Sequence, residues 1–274
     1  MKENFAYFKN KLKLLGIRID NLSKEEILEK VKRFLGGKKF CQIATVNPEF
    51  ILLAQEDKEF KKILNSCDLN IADGFGIKLA SWKSGKNLKS RIAGIDLMLE
   101  ILKIASQNNY DIFLAANKNG LSDWKETRAA ILAIYPNLKI NGADLSLCEK
   151  NNNEASYPPA GRAGKLPRLP GGRQATNYKI LFCNFGAPHQ EKFINSIKND
   201  NIKLAMGVGG SFDFITGKIR RAPLWIRNIG LEWLWRLILQ PKRFKRAFNS
   251  VVIFLWKAMF EKAALLNNKK NVKL

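Results

Sequence analysis

The chain has 274 residues, of which 46% are hydrophobic and 10% aromatic, which suits one large domain or a domain with an appendage and excludes a disordered composition. Lys and Arg number 47 against 24 Asp and Glu, so the net charge of +23 calls for an anionic partner: nucleic acid, an anionic membrane face or phosphorylated ligands. The four cysteines form no C-x-x-C pair and His189 is the single histidine, which argues against a zinc site of the usual spacing.

Met1 to Leu15 is basic and mixed, without the apolar core of a signal peptide. Ser23-Lys-Glu-Glu26 has the pattern of an N-cap with an acid three residues later and predicts a helix to about Leu35, stopped by Gly36-Gly37. Phe40–Val46 reads as a strand, and a helix follows from Pro48 with Phe50, Leu53, Ala54 and Phe60 on its apolar side. Leu69–Ala72 is a strand ending at Asp73-Gly74, with a helix from Ile77. Asp96–Gln107 is helical, Asp111–Ala115 a strand, and a helix starts at Ser122. The further strands are Leu138–Gly142, Lys179–Cys183 and Lys203–Val208, with a helix from His189 between the last two. Cys41 and Cys183 fall in these strand-like runs and read as buried reduced thiols, which suits a reducing cytosol. Strands alternating with helices predict an α/β fold, a mostly parallel Rossmann-like sheet covered on both faces.

Asn151–Asn177 breaks that rhythm with four prolines, four glycines and four basic residues, and reads as a flexible surface insertion. The core is assigned to residues 1–217 and a basic helical appendage to 218–274. The appendage holds 14 Lys and Arg against two acids, about half of the net charge. Its Leu231–Leu239 and Phe244–Leu266 read as helices that interleave Trp and Phe with Arg and Lys, a pattern suited to lying on anionic lipid. The longest near-apolar stretch, Val251–Trp256, is far short of the roughly 20 residues of a spanning helix. The expectation is a cytoplasmic protein, peripheral on the inner face of the cell membrane.

In open parallel sheets ligands bind beyond the carboxyl ends of the strands. Four predicted strand ends carry polar or glycine-rich runs: Thr45-Val-Asn47-Pro-Glu49, Ala72-Asp73-Gly74, Asn184 to Glu191, and Gly207 to Asp213. Asp73 reads either as a general base, if its surroundings raise its pKa, or as an N-cap or Asx-turn residue. Gly207–Ser211 reads either as a backbone cradle for a diphosphate or as a plain tight turn; it fits neither the dinucleotide fingerprint nor a P-loop. Arg91 is suited to gripping a phosphate. His189, a lone loop histidine at a helix start, reads as incidental.

Taken together, Thr45-Val-Asn-Pro-Glu49, Ala72-Asp-Gly74, Arg91-Ile-Ala-Gly-Ile-Asp96, Gly186-Ala-Pro-His-Gln-Glu191, Gly207-Val-Gly-Gly-Ser-Phe-Asp213, Arg221-Ala-Pro223 and Gly230-Leu-Glu-Trp-Leu-Trp-Arg236 resemble the WecG/TagA/CpsF family of bacterial glycosyltransferases, over nearly the whole chain from Gly16 to Phe248. The resemblance implies an inverting transfer of N-acetylmannosamine or its uronic acid from a UDP-sugar to a polyprenyl-diphosphate-linked N-acetylglucosamine, without a required metal or other cofactor. It implies Asp73 as the catalytic base, and Thr45, Asn47 and Gln190 lining the sugar pocket. Arg91 would contact the donor or the acceptor diphosphate, and Gly209, Gly210 and Ser211 would approach the UDP. Arg236, Arg243 and Arg246 would belong to an appendage that docks on the membrane and completes the site. The expected partners are the UDP-sugar, the lipid-linked acceptor and the anionic membrane, not nucleic acid; a homo-oligomer is compatible with the sequence. The insertion has no counterpart in the family pattern, and His189 stands where a Lys is expected.

Two other readings compete. A nucleotide-binding oxidoreductase predicts stabilisation by NAD rather than UDP. A non-enzymatic RNA-binding protein predicts salt-steep RNA binding that Asp73→Asn leaves intact.

Overall fold

A computed structural model describes residues 11–83, 85, 87–146, 148–149, 155–156, 178–198, 201–239 and 250–258. The chain opens with a hairpin, β1 (Lys11–Leu14) and β2 (Ile17–Asp20), that the sequence analysis did not assign. Its signal was present: Leu12, Leu14, Ile17 and Ile19 are buried and alternate with Lys13 and Arg18, and Leu15 and Gly16 take positive φ (47° and 79°), as a tight two-residue hairpin turn requires. The hairpin packs beside the edge of the main sheet, where Asp20 accepts from the Asn70 amide at 2.9 Å.

The first helix, α1 (Lys24–Gly36), begins at the predicted capping box: Ser23 Oγ accepts from the Glu26 amide at 3.3 Å and Glu26 Oε2 from the Ser23 amide at 2.7 Å. After β3 (Cys41–Val46) the expected single helix is two, α2 (Pro48–Glu56) and α3 (Lys58–Ser66). The break falls at Asp57, which ends α2 and caps α3 by accepting from the Phe60 amide at 2.8 Å, so Phe60 belongs to the second helix. Next come β4 (Leu69–Ala72), α4 (Phe75–Lys83), α5 (Gly94–Gln107), β5 (Ile112–Asn117), α6 (Trp124–Ile134) and β6 (Ile140–Leu145). A two-residue pair, β7 (Cys148–Glu149) and β8 (Ala155–Ser156), enters the predicted insertion, whose remaining residues lie outside the described ones. The chain continues with β9 (Ile180–Cys183), α7 (His189–Ser196), β10 (Leu204–Gly207) and the short α8 (Ser211–Ile215) and α9 (Leu224–Asn228), neither of them predicted, then α10 (Glu232–Leu239). Residues 250–258 are helical and fall inside the expected Phe244–Leu266 helix.

Six strands form one parallel sheet in the order β4-β3-β10-β9-β5-β6. The alternation of strand side chains divides the core. Ile43, Leu114, Phe182 and Met206 face a layer containing α1, α5 and Ile131 of α6. On the opposite face Ala44 and Val46 pack with α2, α3, α4 and Phe254, and Phe113, Leu181 and Ala205 pack with α7. Layers on both faces of a parallel sheet are the predicted Rossmann-like α/β arrangement. Cys41, Cys67 and Cys183 are buried and free, and burial raises their thiols above the usual range, to about 11 at Cys41. Among the described residues no helix is long and apolar enough to cross a membrane.

Candidate active site

Because β4, β3, β10 and β9 are consecutive and parallel, their carboxyl ends lie side by side along one edge of the sheet. At a strand spacing of about 4.8 Å, this row is roughly 14 Å wide. It gathers all four polar strand ends that the sequence singled out.

Asp73 follows β4 directly. Its amide donates to the Val46 carbonyl at 2.8 Å, continuing the ladder, and its Oδ2 accepts from the Gly94 amide, at the start of α5, at 3.4 Å. The side chain therefore caps nothing on its own helix, α4. It points across to a different helix N-terminus. Burial raises the Asp73 pKa from 3.8 to about 6; the Gly94 hydrogen bond and Arg91 work against that rise, and the negative charges of Glu232 and Asp96 add to it. A carboxylate poised there can accept a proton near neutral pH.

Thr45 and Asn47 stand beside it on β3 and its end. Thr45 is buried, and its side chain lies 3.4 Å from where a Cβ would sit on Gly94. Asn47 caps α2, accepting from the Phe50 amide at 3.1 Å, and borders Gly74. Arg91 donates through Nη2 to the Arg227 carbonyl at 2.8 Å, which ties the approach to α5 to α9.

Gln190 has a different surrounding from the one expected of a pocket-lining residue. It is 2% exposed, and its Oε1 accepts from two loop amides, Gly186 at 3.1 Å and Gly209 at 3.0 Å, while Nε2 donates to Glu191 Oε1 at 2.7 Å. One side-chain amide thus joins the loops that follow β9 and β10. Glu191 is fully buried, and burial pushes its carboxyl up to about 8, against its hydrogen bonds from Gln190 and from backbone. Its Oε1 sets which way the Gln190 amide faces, a role the sequence analysis did not assign. Gly207 makes room for this pair: a Cβ there would stand 2.4 Å from Gln190 Nε2 and 2.6 Å from Glu191 Oε1.

The loop after β10 turns at Gly209, where φ is +50° and no atom lies within 4 Å of a would-be Cβ. Gly210 precedes α8, and Ser211 is buried, its hydroxyl donating to the Val208 carbonyl at 2.7 Å. The amides of Gly209 and Ser211 are both engaged within the protein, the first by Gln190 Oε1 at 3.0 Å and the second by the Val208 carbonyl at 3.1 Å. Asp213 accepts from Ser122 Oγ at 3.0 Å in a buried contact and so anchors α8. His189 is the half-buried first residue of α7.

The described part of the appendage sits against the same edge. Arg221 Nη1 and Nη2 donate to Asp96 Oδ1 and Oδ2 at 2.6 and 2.7 Å, and Nε donates to Glu232 Oε1 at 3.0 Å. Arg236 is carried on α10, its side chain being outside the described atoms; Arg243 and Arg246 lie outside the described residues.

The arrangement is a row of parallel-strand ends with the raised carboxyl of Asp73 at one end and a glycine-rich turn near the other, and Arg91 and Arg221 tie the C-terminal segment to the start of α5 and its approach. The profile of the "Glycosyl transferase WecG/TagA/CpsF family" matches residues 12–268. The chain is 34% identical over 219 residues to the N-acetylglucosaminyldiphosphoundecaprenol N-acetyl-beta-D-mannosaminyltransferase of Bacillus subtilis (strain 168), covering 80% of this chain and 79% of that protein. It is 29% identical over 250 residues to the protein of the same name from Staphylococcus aureus (strain MRSA252), covering 90% of this chain and 91% of the relative. With a match from residue 12 to residue 268 and this fold, the chain belongs to the WecG/TagA/CpsF family of glycosyl transferases and is itself a glycosyltransferase.

Proposed function

We propose that the protein transfers N-acetylmannosamine from UDP to a polyprenyl-diphosphate-linked N-acetylglucosamine, with inversion, and that Asp73 is the base. The observation that carries this reading is the placement of Asp73: half-buried at the end of β4, raised to about 6, and beside the helix start at Gly94. In a single displacement an acceptor hydroxyl oxygen attacks the anomeric carbon, its bond to the sugar forms as the bond to the UDP oxygen breaks, and Asp73 takes the hydroxyl proton. The leaving diphosphate carries away the negative charge, and the cations of Arg91 and of the appendage arginines Arg236, Arg243 and Arg246 stabilise it. The beta linkage in the relatives' names fits inversion of an alpha-linked nucleotide sugar.

Thr45 and Asn47 line the sugar pocket beside Asp73. The loop at Gly209, Gly210 and Ser211 lies against the UDP, and Gln190 shapes the pocket by holding that loop to the one at Gly186. The transfer needs no metal in this reading, since side-chain cations take the role of the counter-ion. The protein works at the inner face of the membrane, where its acceptor is anchored. Support for this comes from exposed apolar side chains on the appendage, among them Trp225 and Leu224 at 66% and Ile238 at 69%, next to the basic C-terminal sequence.

The test is transfer from a panel of UDP-sugars to a short-lipid diphosphate N-acetylglucosamine with EDTA present, for wild type and Asp73→Asn. Transfer of N-acetylmannosamine by wild type alone is expected. Turnover by Asp73→Asn close to that of wild type would remove the base assignment, and loss of wild-type transfer in EDTA would remove metal independence.

A further inference from the structure

Arg221 stands in the connection between α8 and α9 and satisfies two carboxylates at once. Its fork pairs with both oxygens of Asp96 at 2.6 and 2.7 Å, and its Nε reaches Glu232 at 3.0 Å. Parallel donation of this kind fixes orientation as well as distance. The two acids belong to different parts of the molecule. Asp96 is in the first turn of α5, two residues after Gly94, whose amide donates to Asp73. Glu232 is the first residue of α10, the helix that carries Arg236. One guanidinium therefore joins the helix start that faces Asp73 to the helix that carries Glu232, whose charge acts on Asp73.

One further contact makes the same connection, Arg91 Nη2 to the Arg227 carbonyl at 2.8 Å, and a second, Trp235 Nε1 to the Arg220 carbonyl at 3.2 Å, holds α10 to the stretch that carries Arg221. Breaking either leaves a neutral carbonyl. Removing Arg221 leaves two carboxylates, and its side chain and that of Glu232 are only 19% and 18% exposed. The α9 and α10 helices bury little else: α9 contains no buried residue, and α10 buries only Leu237 among its described side chains. A segment with so little apolar burial depends on its polar ties for its position.

We propose that Arg221 is a positioning residue for the transfer reaction, seating α9 and α10 on the start of α5 through Asp96 and Glu232 and so building the wall of the site beside Asp73. The proposal rests on Asp73 being the base. Its electrostatic consequence follows from the charges that act on Asp73: Glu232 on α10 and Asp96 on α5 oppose its ionisation, and Arg91 favours it. Arg221 puts a positive charge between the two opposing carboxylates and so limits their effect.

The experiment is the pH profile of kcat/KM for Arg221→Gln, Arg221→Lys and Asp96→Asn, with amide hydrogen exchange measured on the same proteins. Arg221→Gln should lower kcat/KM at neutral pH about tenfold or more and move the acid limb up by roughly half a unit or more, because two like charges lose their counter-ion. Asp96→Asn breaks the same fork but removes one of the like charges, so its limb should move down. Arg221→Lys keeps the charge without the fork; its limb should stay at the wild-type position while its activity falls. In all three, exchange should quicken over residues 224–239 and stay unchanged in β3 and β10. Acid limbs that coincide in Arg221→Gln, Asp96→Asn and wild type, or an Arg221→Gln enzyme with wild-type kcat/KM, would overturn the proposal. If Asp73→Asn is inactive and the limbs do not move, only the role of Arg221 fails. If Asp73→Asn turns over normally, the base assignment fails first.

Discussion

Asp73→Asn should abolish transfer and at the same time make the protein more stable. The carboxyl has an ordinary pKa of 3.8 and is raised to about 6 in the folded chain, chiefly by burial. Between these two values the folded protein holds a proton that the unfolded chain has released, so stability falls as pH rises through this window and stays lower above it. At about 1.4 kcal/mol per pH unit the full displacement corresponds to about 3 kcal/mol; solvent screening of a half-buried group lowers this, and about 1–3 kcal/mol is expected. Asparagine has the same shape, keeps an oxygen for the Gly94 amide and never ionises. Urea unfolding at pH 7.5 should therefore show the variant about 1–3 kcal/mol more stable than wild type, with Tm higher by about 2–4 °C per kcal/mol. At pH 4, where the wild-type group is protonated in the fold, most of the difference should disappear. Turnover should fall by about two to four orders of magnitude, the usual contribution of a positioned base. The kcat/KM of wild type should drop below about pH 6, tenfold per pH unit. A variant less stable than wild type at pH 7.5, or a gain equal at both pH values, would refute the idea that the fold holds this carboxylate against its own preference.

Gly207→Ala forces a methyl group to within about 2.4 Å of Gln190 Nε2. It should cost about 1–3 kcal/mol in urea unfolding and lower kcat/KM, since the loops at Gly186 and Gly209 share that side chain. Replacing the exposed Leu224 and Trp225 together by Asp should leave the far-ultraviolet spectrum unchanged and reduce co-sedimentation with anionic vesicles at least tenfold; unchanged co-sedimentation would move the membrane contact elsewhere. Phe254→Ala should destabilise the fold by about 3–5 kcal/mol, because Phe254 is fully buried near Gly76 and in the core layer with α2 and α4; a loss below about 1 kcal/mol would mean that helix 250–258 is not part of that core.

Much of the fold was legible in local patterns. The capping box at Ser23 and Glu26, the helix start at Pro48 and the strand Leu69–Ala72 use only neighbouring residues, and each appears where its signal stands. The split at Asp57 was also written locally, in an acid placed three residues before Phe60, but a continuous apolar stripe across both helices concealed it. The β1–β2 alternation was missed because a basic N-terminal segment was read for targeting and not for period.

The candidate site divides in the same way. Sequence alone identified the polar strand ends, because a parallel α/β pattern places every carboxyl end on one edge, Asp73 and Asn47 stand directly after strands, and the Gly207–Ser211 run begins on the last residue of one. It could not order those strands, since the crossovers that put β10 between β3 and β9 depend on which apolar faces pack, and no local period records that. Nor could it distinguish a Gln that faces a ligand from one that joins two loops; that depends on the amides of Gly186 and Gly209, which meet only when β9 and β10 pair. The bond from Arg221 to Asp96 spans 125 residues of chain. Composition and pattern determine that this chain makes a parallel sheet with a basic, apolar-faced C-terminal segment. Which arginine meets which carboxylate was decided by tertiary packing, because charge pairing acts through space and leaves no spacing in the sequence.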